Sequence, residues 1–198
     1  MPEKPDLAAL LGSRICHDLI SPIGAIGNGL ELLLMDGGQG GPEMALISES
    51  VANANARIRY FRIAFGQSGG EARIGRGEVQ SILADLTRGG RLSVDWKTGA
   101  DMARAEVKIV FLLIQCLETA MAYGGRITVT DVDGRWLIVG QASKLKIDTG
   151  LWEVLANPLA TPDLGPAQVH FPLVAEEIMR QRHRLVTELK ETEIRLMF

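Results

Sequence analysis

Apolar residues recur every three or four positions along the first third of the chain, which is the spacing of an amphipathic helix. This period predicts one helix over residues 5–35 and a second over residues 43–65. Residues 36–42 contain four glycines and a proline, which favour a turn between antiparallel helices. The apolar positions are Leu11, Ile15, Leu19, Ile26, Leu30 and Leu33 in the first helix and Ile47, Val51, Ala54, Ile58, Phe61 and Phe65 in the second.

Two such helices cannot bury all of their apolar surface against each other. Each apolar face is wide enough to need more than one neighbour, and the alternating four-and-three spacing of the second helix is typical of bundle packing. Because the sequence offers only two helices of this kind, the other two come most simply from a second copy. We therefore predict a homodimer in which two helical hairpins form a four-helix bundle.

The pattern changes after a glycine-rich stretch at residues 66–75, which we interpret as a linker between domains. Later segments alternate between helical periods and short β-rich runs, the order typical of a two-layer α/β sandwich. The chain is thus predicted to combine a helical domain at residues 1–68 with an α/β domain at residues 69–198. The predicted helices are 78–87, 104–122, 151–156 and 168–182, and the predicted strands are 91–96, 126–130, 136–139, 185–189 and 193–197, with a turn at 131–134.

The composition narrows the class of function and the expected location. The chain has 198 residues, of which 46% are hydrophobic, so it can bury a core. Its net charge of −3 provides no basic field for binding nucleic acid. No apolar run approaches the ~20 residues of a membrane span, and no cleavable signal follows the charged N-terminus, so we expect a cytoplasmic protein. Cys16 and Cys116 lack the spacing of a metal or disulfide motif and are expected to be thiols.

The strongest candidate for chemistry is the segment at residues 14–22, RICHDLISP. At ~100° per residue, His17 lies ~200° around the helix from the buried stripe and therefore faces outward. A neutral imidazole is a nucleophile that titrates near neutral pH, so it can accept and release a phosphoryl group. Leu10 and Ile20 lie within ~60° of His17 and form an apolar surface suited to docking. From spacing alone, an ordinary core or surface histidine is the alternative.

Pro22 lies inside the predicted helix, five residues after His17. A proline removes a backbone donor and crowds the carbonyl of Asp18, which costs ~3 kcal/mol where nothing compensates. We interpret Pro22 as a kink beside His17. A proline that merely curves a long helix around its core is the alternative.

Residues 17–22, HDLISP, resemble the H-box of histidine kinase dimerisation and phosphotransfer domains, which has a phosphate-accepting histidine followed by an acid and a proline. The segments LAALL at 7–11, CHDLISPIGAI at 16–26, NGLELL at 28–33 and YFRIAFG at 60–66 resemble the ChpT family of alphaproteobacterial histidine phosphotransferases. This resemblance spans the whole chain. It implies a homodimer with a histidine-bearing helical hairpin and a C-terminal Bergerat (HATPase)-like domain, shaped like a kinase ATPase domain but not used as one.

The resemblance also implies a role for His17 in a bacterial two-component phosphorelay. His17 would take a phosphoryl group from the receiver aspartate of a hybrid kinase and pass it to response-regulator receivers, with Mg²⁺ on the receiver and no ATP consumed. Asp18 is the predicted accessory catalytic residue. Adjacent residues of a helix point ~100° apart, so the sequence does not decide whether Asp18 bonds directly to His17. Arg14 either contacts phosphate or pairs with Asp18 across one turn. The predicted partner-binding residues are Leu10, Arg14, Ile20, Ser21 and Arg59.

The second half of the chain lacks the residues that bind ATP in a histidine kinase. Residues 112–123 resemble the N-box helix, but Thr119 stands where the metal-binding asparagine would be, and Gln115 is a weak substitute. Residues 139–146 contain no Asp-x-Gly-x-Gly, and residues 165–172 have one glycine among bulky side chains that keep a backbone away from phosphates. We therefore expect no nucleotide, other cofactor or metal to be bound by this chain.

Two rival functions stay open at this point. An ATP-dependent histidine kinase is the first, and the missing asparagine and glycine segments argue against it. A non-catalytic adaptor that holds receivers without accepting phosphate is the second, and the sequence does not distinguish it from a relay. His170 and His183 lie at the two ends of a predicted helix, and we expect both to be structural.

Overall fold

The N-terminal third of the chain forms two long antiparallel helices. The computed structural model describes residues 6–35, 41–67, 71–99, 101–132, 134–157 and 164–198. Helix α1 spans Leu7–Met35 and helix α2 spans Pro42–Ala64, close to the predicted bounds. Asp6 caps α1 by accepting hydrogen bonds from the N–H groups of Ala8 and Ala9. Residues 36–40 of the predicted turn lie outside the described residues.

Helix α1 runs unbroken through Pro22 and packs along α2. Pro22 and Gly29 are its buried residues. Gly29 allows a close approach, because a Cβ at this position would lie 2.7 Å from Cγ1 of Ile47 on α2. Several large apolar side chains of the hairpin, including Leu30 at 51% exposure, are not covered within one chain. The hairpin thus leaves apolar surface uncovered, as its pattern predicts.

The rest of the chain folds into a mixed sheet with helices packed against it. The elements after α2 are β1 (Arg73–Gly75), α3 (Arg76–Thr87), β2 (Leu92–Lys97), β3 (Asp101–Ala103), α4 (Arg104–Ala120), β4 (Gly125–Val132), β5 (Arg135–Gln141), α5 (Thr149–Ala156), a 3-10 helix (Pro166–Gln168), α6 (His170–Arg180), β6 (Val186–Leu189) and β7 (Glu193–Met197). The main sheet has the order β2-β4-β5-β7-β6, with β2 and β4 parallel and the other neighbours antiparallel. The predicted combination of a helical hairpin with an α/β sandwich is confirmed.

Helix α4 forms the centre of the hydrophobic core, and its side chains are buried along almost its whole length. The last turns of α2 reach the same core. Tyr60, Ile63 and Ala64 are buried, and the Tyr60 hydroxyl donates a hydrogen bond of 2.6 Å to the carbonyl of Phe111 on α4. The hairpin is therefore fixed to the α/β unit by shared packing rather than joined to it by a linker alone.

Two sequence predictions need correction in detail. The stretch at residues 66–75 ends in strand β1, which pairs with β3, and neither strand was predicted because three residues carry too short an alternation. The predicted helix at residues 168–182 begins with a 3-10 turn and becomes α6 only at His170. Residues 68–70 of the predicted linker and residue 133 of the predicted turn lie outside the described residues.

Helix α1 is, within the part of the chain that the structure describes, the one helix long and apolar enough to cross a membrane. The sequence pattern predicted no span, because no uninterrupted apolar run is long enough. The test for α1 rests on length and composition alone, with a mean hydropathy of 1.2 over its most apolar window. One side of α1 packs on α2 and carries Arg14 and Asp18, so we interpret its apolar residues as packing surface.

Candidate functional site

His17 lies in the first half of α1 and projects into solvent. Its side chain is 84% exposed, as its place opposite the buried stripe predicts. Nδ1 of His17 lies 3.2 Å from Oδ1 of Asp18, a hydrogen-bonding distance for the neutral tautomer that carries its proton on Nδ1. In that tautomer Nε2 keeps its lone pair and can act as a nucleophile.

Asp18 is held between three neighbours. Its side chain is only 10% exposed, although it lies beside the exposed His17. Oδ2 accepts a hydrogen bond of 2.6 Å from Nε of Arg14 and lies 3.9 Å from Nη1 of Arg57 on α2. Two cations thus compensate the charge of a largely buried carboxylate. They also leave Oδ1 facing His17, so the structure makes the direct contact that the sequence left open.

Arg14 links the hairpin to the C-terminal unit. While Nε donates to Asp18, Nη1 donates a hydrogen bond of 2.8 Å to the carbonyl of Ala167 in the 3-10 helix. One guanidinium can serve both acceptors because its N–H donors point in different directions. The side chain is 19% exposed. Of the two roles predicted for Arg14, this geometry favours pairing with Asp18.

A groove runs beside His17 between α1 and α2. Ser21 lies in its wall, Ile20 is strongly exposed next to it, and Leu10 is half-buried one turn before Arg14. These predicted residues therefore lie on or beside the face of α1 that carries His17. The residues that line the groove are His17, Asp18, Ser21, Pro22, Ala25, Leu46, Glu49, Ser50, Asn53 and Arg57.

Arg59 does not reach this groove. Its guanidinium donates hydrogen bonds of 2.9 Å to Asp85 and 3.2 Å to Ser81, so it connects α2 with α3. Arg57, two residues earlier, donates instead to Asn53 and contacts Asp18. The sequence shows both arginines but not which of them faces α1, because that depends on how the two helices align.

His170 lies at the start of α6, near Arg14, and is 1% exposed. Its Nε2 is 3.1 Å from the hydroxyl of Thr119, which donates its own proton to the carbonyl of Gln115, so the imidazole donates through Nε2–H. Nδ1 has no hydrogen-bond partner in the described ranges. Burial lowers the pKa of His170 to about 3, and the charge of Arg14 adds to this effect. His170 is therefore neutral and buried, in agreement with its predicted structural role.

The remaining candidate side chains are separate from the groove. His183 packs edge-on against Phe198, with ring centroids 5.2 Å apart. Cys16 is exposed and Cys116 is buried, and both are free thiols, as predicted. None of these three residues is among those that line the groove beside His17.

Comparison with known proteins defines the class to which this fold and site belong. A family model described as the histidine phosphotransferase C-terminal domain matches residues 76–193. Protein phosphotransferase ChpT of Brucella abortus (strain 2308) is 37% identical over 181 residues, which cover 87% of this chain and 86% of the relative. A solved structure of a bacterial phosphotransferase is 29% identical, covers 100% of this chain and 97% of its own, and superimposes with a TM-score of 0.80. The molecule is a protein phosphotransferase.

The chain belongs to the histidine phosphotransferase family, and the ChpT-type resemblance of its sequence is confirmed. The family match covers the α/β unit from α3 to the start of β7, and the solved structure covers the hairpin as well. A role as a histidine phosphotransferase in a phosphorelay follows from this membership.

Proposed function

We propose that the protein carries a phosphoryl group on His17 and passes it between the aspartates of receiver domains. One observation carries this proposal: a strongly exposed imidazole whose Nδ1 lies 3.2 Å from a carboxylate that is itself held by two arginines. The imidazole must be exposed because the donor and the acceptor are side chains of other proteins. The carboxylate favours the tautomer in which the outer nitrogen, Nε2, is the nucleophile.

The two ring nitrogens have different tasks in the transfer step. Nε2 attacks the phosphorus of a receiver's aspartyl phosphate, an N–P bond forms, and the bond from phosphorus to the carboxylate oxygen breaks. The receiver aspartate leaves as a carboxylate. His17 then carries a proton on Nδ1 and phosphorus on Nε2, so its ring is cationic, and Asp18 stabilises this charge through the Nδ1–H bond. The same atoms move in reverse when the aspartate of the next receiver attacks the phosphorus.

Receiver domains are the partners that this surface suits. The exposed Ile20 and half-buried Leu10 provide apolar contact area around His17, and Ser21 adds a hydroxyl at the groove. Mg²⁺ is supplied by the receiver in this proposal, because the carboxylate beside His17 is already paired with two arginines and has only one oxygen left, which faces His17. We expect the exchange to take place in the cytoplasm.

We further infer that two copies pair through their hairpins into a four-helix bundle. Met44, Val51 and Ile58 follow each other at intervals of seven residues on α2, and all three are exposed within one chain. Leu30 and Leu34 are exposed on α1, four residues apart. Such rows of apolar side chains match the packing surface of helical bundles, and a second hairpin supplies the missing neighbours.

Transfer without ATP is also part of the proposal. Thr119 replaces the asparagine of the kinase N-box, and its hydroxyl is engaged by the Gln115 carbonyl and by the buried His170. The loop before α6 carries a single glycine, Gly165, whose N–H donates to the side chain of Gln168 rather than facing solvent. These contacts support the proposal that the C-terminal unit does not bind nucleotide.

The direct test follows a radioactive phosphoryl group from a phosphorylated receiver. We expect wild-type protein and His183→Ala to become labelled, since His183 packs on Phe198 and lies outside the groove. His17→Ala should stay unlabelled while still binding the receiver. Equal labelling of wild type and His17→Ala would contradict the assignment.

The same experiment distinguishes the two rivals. Labelling of His17 from ATP alone, with saturable ATP binding in calorimetry, would make the protein a histidine kinase. Normal receiver binding without any alkali-stable phosphohistidine would make it an adaptor. The relay predicts labelling from the receiver and none from ATP.

A further inference from the structure

Arg14 is a residue of α1 whose side chain hydrogen-bonds to the C-terminal unit. Nε donates to Oδ2 of Asp18 at 2.6 Å, and Nη1 donates to the carbonyl of Ala167 at 2.8 Å. Ala167 lies 153 positions further along the chain. The guanidinium therefore joins the site of His17 to a segment that contributes no side chain to the groove.

The carbonyl of Ala167 is a well-fixed acceptor. It belongs to a 3-10 turn in which the Gly165 N–H donates to Oε1 of Gln168 at 2.9 Å, and the Gln168 N–H returns to the Gly165 carbonyl at 3.0 Å. Pro166 restricts the backbone at the first position of the turn. Three residues after Ala167, His170 is buried and hydrogen-bonded to Thr119 on α4. The turn is therefore held by its own hydrogen bonds and is anchored to the α/β unit through His170.

The two oxygens of Asp18 divide their contacts. Oδ2 faces Arg14, and Oδ1 faces Nδ1 of His17 at 3.2 Å. A pair four residues apart on a helix, made by long flexible side chains, holds its geometry weakly by itself. The bond to Ala167 fixes the other end of the guanidinium and so restricts the carboxylate to the orientation that meets the imidazole.

We propose that Arg14 is a positioning residue for phosphoryl transfer, through which the 3-10 turn of the C-terminal unit fixes Asp18 against His17. The inference rests on the proposed function of His17. It gives the C-terminal unit a task in the transfer step that requires no nucleotide. Arg14, predicted from the sequence to bind a partner, instead positions Asp18 within its own chain in this proposal.

The test compares Arg14→Lys and Arg14→Gln with wild type and with the matched control Arg126→Lys. Lysine keeps the charge but has one nitrogen, which cannot reach both acceptors as a guanidinium does. Arg126 pairs with Asp95 on the sheet and is not among the residues that line the groove. The readouts are the transfer rate at saturating phosphorylated receiver, the half-saturating receiver concentration, and the ¹⁵N shifts of the His17 ring.

We expect both Arg14 variants to lose about tenfold in saturated rate, less than the roughly 100-fold that a ~1 Å misplacement of a reacting group can cost, because Asp18 stays beside His17 in both variants. The half-saturating concentration should stay unchanged, and the ¹⁵N shifts should move toward the tautomer protonated on Nε2. A third variant, Arg14→Ala, should also be slow, and added guanidinium ion should recover part of its rate. Arg126→Lys should behave like wild type in every readout.

Three results would overturn the inference while leaving the relay function intact. The first is a wild-type rate and tautomer in both variants, which would mean that Asp18 needs no brace. The second is a change in half-saturating concentration alone, which would make Arg14 a contact to the receiver. The third is a lower rate with an unchanged tautomer. Failure of wild-type protein to become labelled on His17 would instead refute the proposed function itself.

Discussion

The carboxylate of Asp18 is the point at which the charges around His17 meet. One oxygen accepts a hydrogen bond from Arg14 and lies near Arg57, and the other faces Nδ1 of His17. The arginines fix where the carboxylate lies, and its remaining oxygen selects the tautomer of the imidazole. The chemistry of one exposed residue thus depends on three that are partly or largely buried.

Replacement of the carboxylate by an amide tests this dependence. In Asp18→Asn the amide NH₂ can donate to Nδ1 of His17, which favours a proton on Nε2 and blocks the nucleophile. The negative charge that stabilises the phosphorylated ring is lost as well. We expect transfer from a phosphorylated receiver to slow by about 100-fold, measured as loss of label from the receiver.

The matched control is Asp95→Asn, whose carboxylate pairs with Arg126 on the sheet. It should transfer at the wild-type rate. An equal rate in Asp18→Asn and Asp95→Asn would show that the carboxylate beside His17 has no part in the reaction.

The buried His170 should make the free energy of unfolding depend on pH. The pKa of His170 falls from 6.5 in the unfolded chain to about 3 in the folded protein. Between pH 3 and pH 6.5, the imidazole is therefore protonated in the unfolded chain only. The contribution to stability is complete above pH 6.5 and is lost as the pH falls toward 3. We expect the free energy of unfolding to decrease by about 1.4 kcal/mol per pH unit from this group.

His170→Gln removes the titrating group and keeps a side chain that can reach Thr119. Denaturant unfolding between about pH 6.5 and 5 should give a shallower pH dependence for this variant than for wild type. His183→Gln, at a half-buried position three residues after the end of α6, serves as the control and should keep the wild-type slope. Parallel pH curves for wild type and His170→Gln would contradict the assignment of a neutral buried histidine.

At the scale of the elements, the contact between α1 and α2 depends on a position without a side chain. A Cβ on Gly29 would lie 2.7 Å from Cγ1 of Ile47, a carbon close to the backbone of a β-branched residue with little freedom to move. Gly24, on the same helix, has open space around the same position. Replacing Gly29 by alanine therefore changes both packing and helix propensity, whereas replacing Gly24 by alanine changes helix propensity alone.

We expect Gly29→Ala to destabilise the protein by about 1–2 kcal/mol, because overpacking exceeds the gain in helix propensity. Gly24→Ala should be neutral or stabilising by up to about 1 kcal/mol. Chemical unfolding of both variants measures the difference. Equal stabilities would show that the hairpin adjusts at Gly29 without cost.

The hairpin shows what the sequence can predict and what it cannot. A period of three and four residues sustained over α1 and α2 was enough to predict both helices and the outward direction of His17. Which of Arg57 and Arg59 faces α1 was not predictable, since it depends on how the two helices align with each other. Strands β1 and β3 escaped prediction because three residues carry almost no periodic signal. The bond from Arg14 to Ala167 joins residues 153 positions apart and leaves no local pattern.

At the scale of the whole molecule, the hairpin has two kinds of neighbour. The C-terminal end of α2 is joined to the α/β core where Tyr60 contacts Phe111 of α4. Arg14 of α1 adds a second connection, at the 3-10 turn. Leu30, Val51 and Ile58 lie in the uncovered part of the same hairpin. The first set of contacts holds one chain together, and the second set is available to another copy.

A charge placed in the uncovered part tests the dimer. Leu30→Glu should shift the mass measured by light scattering from that of two chains toward that of one, because an unpaired charge cannot be buried in a bundle. Val132→Glu alters an equally exposed apolar residue on the sheet and should leave the mass unchanged. A wild-type mass of one chain at micromolar concentration would contradict the proposed pairing.

The proposed transfer mechanism depends on which atom carries the phosphoryl group. Protein labelled with ¹⁵N in its histidines can be phosphorylated by a receiver and examined by NMR for coupling between phosphorus and ring nitrogen. We predict a single phosphohistidine, at His17, with phosphorus on Nε2 and the proton on Nδ1 facing Asp18. Phosphorus on Nδ1 of His17, or on any other residue, would contradict it.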